Sequence, residues 1–387
     1  MKGLAASASV TLRHLLVLLL VFTGVVLTAA VSPAQFAVTN LVTDDQSVNT
    51  ATITDANLQN AWGISFSSTS PFWVSDNATG VATLYNVDPG TDVPTKVSLT
   101  VTIPGDGSVT GQVYSNVAGN FNADAFLFAS EDGTVSGWRG ALGTTAEVLQ
   151  VGSAANVYKG TAMSNIGGNV YLYSTNFRAG TIDVLKGNPG APNLTGTFVD
   201  PNIPAGYAPF NIQNLGGKLY VTYALQDGAK HDDVAGAGHG YVDAFDTNGI
   251  LLGRIASQGP LNSPWGLTIA PSSFGPIAGD LLVGNFGDGT INAFNLTTLA
   301  NDGPLKNLTN TPIAIDGLWG LTIGNGGSAG NTGRVYFSAG PGDETHGLFG
   351  VIAHVPEPSS CVLAAIGAGA LFFFRRKNKA VRSLNMR

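Results

Sequence analysis

The chain has 387 residues, enough for one large domain or two ordinary ones. Charged residues make up only 11% of it, against roughly 25% in an average globular protein, and its 51 glycines favour strands and tight turns over surface helices. Ten basic residues accompany 25 acidic ones between residues 35 and 374, which argues against nucleic-acid binding, and a single cysteine, Cys361, excludes an intramolecular disulfide.

Residues 1–34 have the pattern of a secretory signal peptide. Two basic residues accompany an apolar run, residues 15–30 (LLVLLLVFTGVVLTAA), and small residues follow it. The pattern predicts cleavage by signal peptidase after Ala34, with cleavage after Ala30 as the alternative. An uncleaved anchor helix is the competing interpretation. We therefore expect an exported protein.

The body of the chain is built from repeats. WGISF at residues 62–66 recurs as WGLTI at 265–269 and at 319–323, each time followed by a second strand, a polar turn and a third strand. Weaker copies begin near residues 115, 161 and 210. Six repeats of about 49 residues match the length of a four-stranded propeller blade.

The ends of the repeat region predict how the ring closes. The sixth repeat stops after its third strand, whereas residues 36–42 (FAVTNLV) form an unmatched strand before the first repeat. We expect this strand to pair with residues 347–352 as the missing outer strand. The prediction is an all-β fold: a six-bladed β-propeller of four-stranded blades over residues 35–354, closed by the N-terminal strand. Two β-sandwich domains are the alternative.

Polar residues that follow the second strand of each blade are expected at one rim of the central channel. The candidate rim site comprises Asp76, Glu131, Asp288, Asp343 and His346. Oxygen ligands from several blades suit Ca²⁺, so calcium is a possible cofactor. Tight hairpins require the same Asp-Gly and Asn-Gly pairs, so a purely structural role is the alternative.

The histidines are open to two interpretations. His231 is followed by two aspartates in a Gly-rich insertion before the third strand of blade 4, together with His239. This insertion is either a solvated loop or a transition-metal patch or lid. His346, close to Asp343 and Glu344, is either a turn residue or a general base with a carboxylate partner.

The repeated Trp-Gly pair marks the innermost strand of a blade. Gly permits close approach near the axis. Trp62, Trp265 and Trp319 either pack between blades or stack on sugar rings. The sequence contains no Gly-x-Ser-x-Gly elbow, phosphate-binding loop or His-Glu-x-x-His motif, so catalytic residues remain unknown.

The C-terminal residues 355–387 have three parts: a Pro-Glu-Pro motif, an apolar run at residues 361–374 and a basic end. The motif residues are Pro356, Glu357 and Pro358, and the basic end is Arg375, Arg376 and Lys377. This order resembles the PEP-CTERM sorting signal. The resemblance implies transient anchoring in the membrane, cleavage by an exosortase, and delivery to the cell surface or extracellular matrix. A plain C-terminal membrane anchor is the alternative.

The body resembles a family of uncharacterised propeller proteins that carry PEP-CTERM tails. The matching segments are NAWGI at residues 60–64, FWVSDN at 72–77, SPWGL at 263–267, DLLVGNFGDG at 280–289, DGLWGL at 316–321 and AGPGDETHGLFG at 339–350. The resemblance implies no established activity. We expect a binding module for carbohydrate or a matrix protein. The alternative is a Ca²⁺-dependent hydrolase or lyase, similar to lactonase propellers, with its site in the central channel.

Overall fold

The computed structural model describes residues 34–115 and 117–356. The predicted signal peptide and most of the sorting tail, including Glu357, Pro358 and the basic end, lie outside these residues. The described part is almost entirely β-structure, with short 3-10 helices at Phe121–Ala123, Gly140–Leu142 and Ser272–Ile277. None of the helices in these two ranges is long and apolar enough to cross a membrane.

The strands form six sheets, the blades, in chain order. Strands β1 (Gln35–Thr43) and β2 (Ile53–Thr54) come first. Blade 1 contains β3 (Ala61–Ser65), β4 (Phe72–Asp76), β5 (Val81–Val87) and β6 (Pro94–Thr102). Blade 2 contains β7 (Val109–Tyr114), β8 (Phe126–Ser130), β9 (Val135–Trp138) and β10 (Glu147–Gln150). Blade 3 contains β11 (Tyr158–Ile166), β12 (Asn169–Asn176) and β13 (Thr181–Lys186).

The second half of the chain forms the other blades. Blade 4 contains β14 (Tyr207–Leu215), β15 (Lys218–Leu225), β16 (Tyr241–Phe245) and β17 (Leu251–Ser257). Blade 5 contains β18 (Pro264–Ile269), β19 (Leu281–Asn285), β20 (Ile291–Phe294) and β21 (Asn301–Pro304). Blade 6 contains β22 (Leu318–Ile323), β23 (Val335–Ala339) and β24 (Leu348–Val355), and its sheet continues into β1 and β2. The all-β, six-bladed propeller is therefore confirmed.

The core lies between neighbouring blades. Strands such as β4 are buried along their whole length, because each blade packs against a neighbour on both faces, and this is why they are apolar without alternation. At the seam of blades 1 and 2, for example, Trp73 stacks on Phe126 with ring centroids 4.0 Å apart. A further apolar cluster, which contains Trp62, Trp265 and Trp319, lies on the propeller axis.

Glycines let the innermost strands approach one another around the axis. A Cβ atom on Gly63 of blade 1 would lie 2.6 Å from the carbonyl oxygen of Thr110 in blade 2. A Cβ atom on Gly320 of blade 6 would lie 2.8 Å from the carbonyl oxygen of Trp62 in blade 1. The innermost strands of blades 6 and 1 therefore approach each other as closely as those of blades 1 and 2, because the glycine has no side chain to separate them.

The outer strands show two departures from a uniform set of four. Strand β1 pairs antiparallel with β24, with Gln35 opposite Val355, and β2 adds to β1 in parallel. Blade 3 has three strands, because the chain after Lys186 does not return to pair with β13. Residues 187–206 contain four prolines and four glycines, and Phe198 instead packs into the core between blades 3 and 4.

Candidate functional site at the channel mouth

Each innermost strand begins with a β-bulge near the axis, and the residue at that position distinguishes the blades. Bulges redirect side chains, and here they occur once in every blade. In blade order the axial residues are Trp62, Thr110, Lys159, Phe210, Trp265 and Trp319. Lys159 is the only charged residue of the six.

The aromatic axial residues form a plug. Trp62 and Trp319 stack with ring centroids 3.6 Å apart, and Phe286 stacks on the other face of Trp319 at 3.9 Å. Trp265 meets both tryptophans edge-on. Trp62, Trp265 and Trp319 are at most 4% exposed, so the rings pack together and leave no face free for a sugar.

Lys159 is a buried cation beside this plug. It is 2% exposed, and its Nζ lies 5.2 Å from the ring centroid of Trp62. The ammonium forms ion pairs with Glu131 of blade 2 and with Asp232, whose Oδ1 is 3.1 Å away. Burial lowers the pKa of Lys159, but attraction by Glu131 and Asp232 outweighs burial and leaves the pKa above its usual value. Lys159 therefore carries its charge.

A hydrogen-bonded chain connects Glu131 to blade 6. Asn77 Nδ2 donates to Glu131 Oε2 at 3.2 Å, and Asn60 Nδ2 donates to Asn77 Oδ1 at 3.2 Å and to Glu344 Oε2 at 2.5 Å. Burial, reinforced by the nearby carboxylates, raises the pKa of Glu344. The network thus joins blades 1, 2, 3 and 6 around one ammonium.

The Gly-rich insertion of blade 4, residues 226–240, also contributes to this site. Gln226 donates to the carbonyl oxygen of Phe177 in blade 3, and the backbone of Gly236 donates to Asn262 before blade 5 at 2.7 Å. The insertion carries Asp232 to Lys159, and burial raises the pKa of its neighbour Asp233. Of its two histidines, His231 reaches this site, whereas His239 bonds the carbonyl oxygen of Val234.

Three of these side chains form a possible metal-binding group. Ligand atoms of Glu131, His231 and Asp232 all lie within 4.8 Å of one another. Two carboxylates with an imidazole suit a transition metal better than Ca²⁺, which takes six to eight oxygen ligands. Any such ion would compete with the ammonium of Lys159, which already binds both carboxylates.

A cleft of about 820 Å³ opens beside this network, between the loops of blades 2 and 3. Glu131 and His231 are among the residues that line it. Its wall also contains Asp106, Asp132, Val148, Val151 and Arg178. Val151 is 80% exposed, and the half-buried Arg178 donates through Nη1 to the carbonyl oxygen of Ala154 at 2.7 Å, so that its guanidinium lies against the cleft wall. The cleft thus offers hydrogen-bond acceptors, a donor and an apolar surface.

Of the five predicted rim residues, the structure brings Glu131 to the axial network. Asp76 is fully buried inside blade 1 beside Thr83, Asp288 accepts from Thr290 at 2.7 Å within its own turn, and Asp343 is exposed. His346 lies 3.0 Å from Asp44.

The other members of the network are Lys159, Asp232, Glu344, Asn60 and Asn77. Lys159-Gly160 occupies the place of Trp62-Gly63 in the repeat, so the repeat itself contained a signal for this residue.

Comparisons with known proteins agree with the predicted sorting tail. Residues 354–378 match the PEP-CTERM protein-sorting motif, which implies export and processing by an exosortase. Among solved structures, the periplasmic gluconolactonase of Pseudomonas aeruginosa matches with a TM-score of 0.45 and 16% identity over 77% of this chain and 88% of that one. This likeness is too low to indicate an activity.

Two proteins of Acanthamoeba polyphaga mimivirus are closer in sequence. R648, described as uncharacterised, is 34% identical over 290 residues, which is 70% of this chain and 70% of that protein. L690, also described as uncharacterised, is 31% identical over 313 residues, 76% of this chain and 80% of that protein. The chain belongs to the same family of proteins as R648 and L690, and it carries a PEP-CTERM sorting motif at its C-terminal end.

Proposed function

We propose that this protein is sorted to the cell surface or the extracellular matrix, where its propeller binds polysaccharide in the cleft between blades 2 and 3. The observation that carries the proposal is the cleft of about 820 Å³ whose lining includes Glu131 and His231. Its volume lies in the range of ligand sites, roughly 300–1,000 Å³. Surface sorting places the protein where polysaccharide and matrix proteins are available.

The lining favours a ligand rich in hydroxyl groups. Asp106 and Asp132 accept hydrogen bonds, the guanidinium of Arg178 donates them, and Val148 and Val151 present an exposed apolar surface. A sugar ring uses all three, since its hydroxyls both donate and accept while its C–H face is apolar. The carboxylates repel an anionic polymer unless a divalent cation bridges the two.

The proposal is tested by co-sedimentation of the purified protein with extracellular polysaccharide from the producing cells. Val151→Asp and Arg178→Ala are expected to weaken binding about tenfold, the loss expected when about 1.4 kcal/mol of contact is removed. Val199→Asp and Lys218→Ala alter exposed residues elsewhere and serve as matched controls. Unchanged binding by both cleft variants contradicts the proposal, and weakening by EDTA identifies cation bridging.

A metal-assisted hydrolase or lyase is the second candidate, favoured by the approach of Glu131, His231 and Asp232 to within 4.8 Å. A bound metal ion would polarise a carbonyl group or activate water. Zn²⁺ and Ca²⁺ titrations followed by calorimetry test the site. His231→Ala should abolish binding, and His239→Ala should leave it unchanged. Turnover of a lactone that is lost in Glu131→Gln would favour the enzyme over the binding module.

A further inference from the structure

We propose a second ligand site at the opposite mouth of the channel, which takes one uncharged sugar unit or a similar polyol. A cavity of about 310 Å³ lies at the far ends of the innermost strands. Blades 1, 2, 3, 4 and 6 contribute to its wall. This volume is near the lower end of the range for ligand sites, so it suits a single small ligand rather than a polymer.

The cavity is separate from the cleft described above. The aromatic plug of Trp62, Trp265 and Trp319 stands between the cavity and Lys159. The void below the plug measures only about 10 Å³, which is too small for a sugar. A ligand in the cavity therefore cannot touch the Lys159 network.

The chemistry of the wall excludes charged ligands. No Asp, Glu, Lys, Arg or His side chain lines the cavity within the described ranges. A charged ligand placed here would lose hydration without gaining a counter-charge, whereas a neutral polar ligand needs only hydrogen bonds. This absence of charge contrasts with the cleft on the other face, which holds three carboxylates, and it indicates a different ligand class.

One wall of the cavity is rigid. The amide of Gln112, whose residue is 5% exposed, donates to the carbonyl oxygens of Gly63 at 2.7 Å and Trp73 at 3.0 Å. Its Oε1 accepts from Ser65 Oγ at 3.0 Å. Every polar atom of this amide is engaged within the protein, so Gln112 shapes the cavity without moving. A preformed wall reduces the entropy lost when a ligand binds.

Other groups are free to bind. Gln213 and Tyr114 line the cavity, and neither the side-chain amide of Gln213 nor the hydroxyl of Tyr114 forms a hydrogen bond to any described residue. Phe66 and Met163 add apolar surface to the wall. An amide and a phenol supply donors and acceptors to hydroxyl groups, and the apolar side chains pack against C–H groups. A neutral sugar combines these features.

The test measures binding of three matched sugars to the purified full chain by saturation-transfer NMR and calorimetry. D-glucose, D-glucuronate and D-glucosamine are similar in size and differ in charge. We expect glucose, or its epimers galactose or mannose, to bind at least tenfold more tightly than the two charged sugars. Gln213→Met, which keeps the side-chain length and removes the amide, should weaken binding about fivefold, and Tyr114→Phe should weaken it less.

Two controls locate the site. Gln59→Met makes the same change where the amide has no contact with the cavity, and it should leave affinity unchanged. Arg178→Ala in the cleft should also have no effect, which separates this proposal from the polysaccharide site. The proposal is overturned if none of the neutral sugars binds, if the charged sugars bind equally well, or if Gln213→Met binds like the wild type.

Discussion

Lys159 and Asp76 are both buried, but the surroundings of Lys159 favour its charged form whereas those of Asp76 favour its neutral form. Lys159 keeps its charge because Glu131 and Asp232 surround its ammonium. Asp76 has no such partner: it is 0% exposed, and neither carboxyl oxygen has a hydrogen-bond partner among the described residues. Burial, with a smaller contribution from the charge of Asp55, raises the pKa of Asp76 well above its usual value.

Because the pKa of Asp76 is raised, we expect the free energy of unfolding of the wild type to decrease as pH rises. We expect Asp76→Asn to remove this decrease. The unfolded chain releases this proton above about pH 4, whereas the folded protein retains it, so stability falls as pH rises from about 4 to the folded pKa. We expect the free energy of unfolding of the variant to fall less than that of wild type between pH 5 and pH 8.

Urea unfolding at the two pH values measures the difference for Asp76→Asn. Asp343→Asn changes an exposed carboxylate and is the matched control. Parallel pH profiles for wild type and Asp76→Asn would show that Asp76 is ionised in the folded state.

Single residues were the hardest feature to predict from the sequence. The repeat places Lys159 at the axis, because Lys159-Gly160 aligns with the Trp-Gly pairs. Glu344 follows the second strand of blade 6 and so shares the predicted rim with Glu131, whereas Asp232 arrives on an insertion that follows no period, so spacing alone could not bring it to Lys159. Spacing also could not predict the contacts of two other candidates. Asp288 accepts a hydrogen bond within its own turn, and His346 bonds to Asp44.

At the scale of elements, the N-terminal strand makes the sharpest prediction. Phe36 of β1 is 1% exposed and packs against Phe274 with ring centroids 4.8 Å apart. Phe36→Ala should lower the free energy of unfolding by about 3–5 kcal/mol, because a large buried ring leaves a cavity. Val38 on the same strand is 38% exposed, and Val38→Ala should cost under about 0.5 kcal/mol.

Thermal unfolding of the Phe36→Ala and Val38→Ala variants, together with deletion of residues 35–42, tests whether β1 holds the ring closed. The deletion exposes the edge of β24 and should cause unfolding or aggregation. Equal melting temperatures for Phe36→Ala and Val38→Ala would mean that the strand is dispensable.

The number and order of blades could be predicted because each blade repeats one pattern at nearly constant spacing. The missing outer strand of blade 3 could not. Residues 187–206 fill a normal blade length, and only packing of Phe198 between blades 3 and 4 shows where they go. Repeats predict what is common to the blades, while insertions and exceptions depend on tertiary contacts.

At the scale of the whole molecule, the sequence predicts processing at both ends. The strand β24 ends at Val355, and the exposed Pro356 of the sorting motif follows it directly. Intact mass spectrometry of the exported protein should show loss of residues 1–34 and of about 30 C-terminal residues. Pro356→Ala combined with Pro358→Ala should leave the tail attached. A mature wild-type form that retains residues 372–387 would contradict sorting by cleavage.

Because Gln35 pairs with Val355, the first and last strand residues of the propeller lie side by side. Neighbouring strands lie about 5 Å apart, so a short linker can join these two residues without disturbing either strand. A new opening in the insertion at residues 226–240 would then produce a circular permutant with the same blades in the same order. The blade that is synthesised first is therefore not dictated by the architecture, and an engineer can relocate the chain ends to the face that carries the cleft.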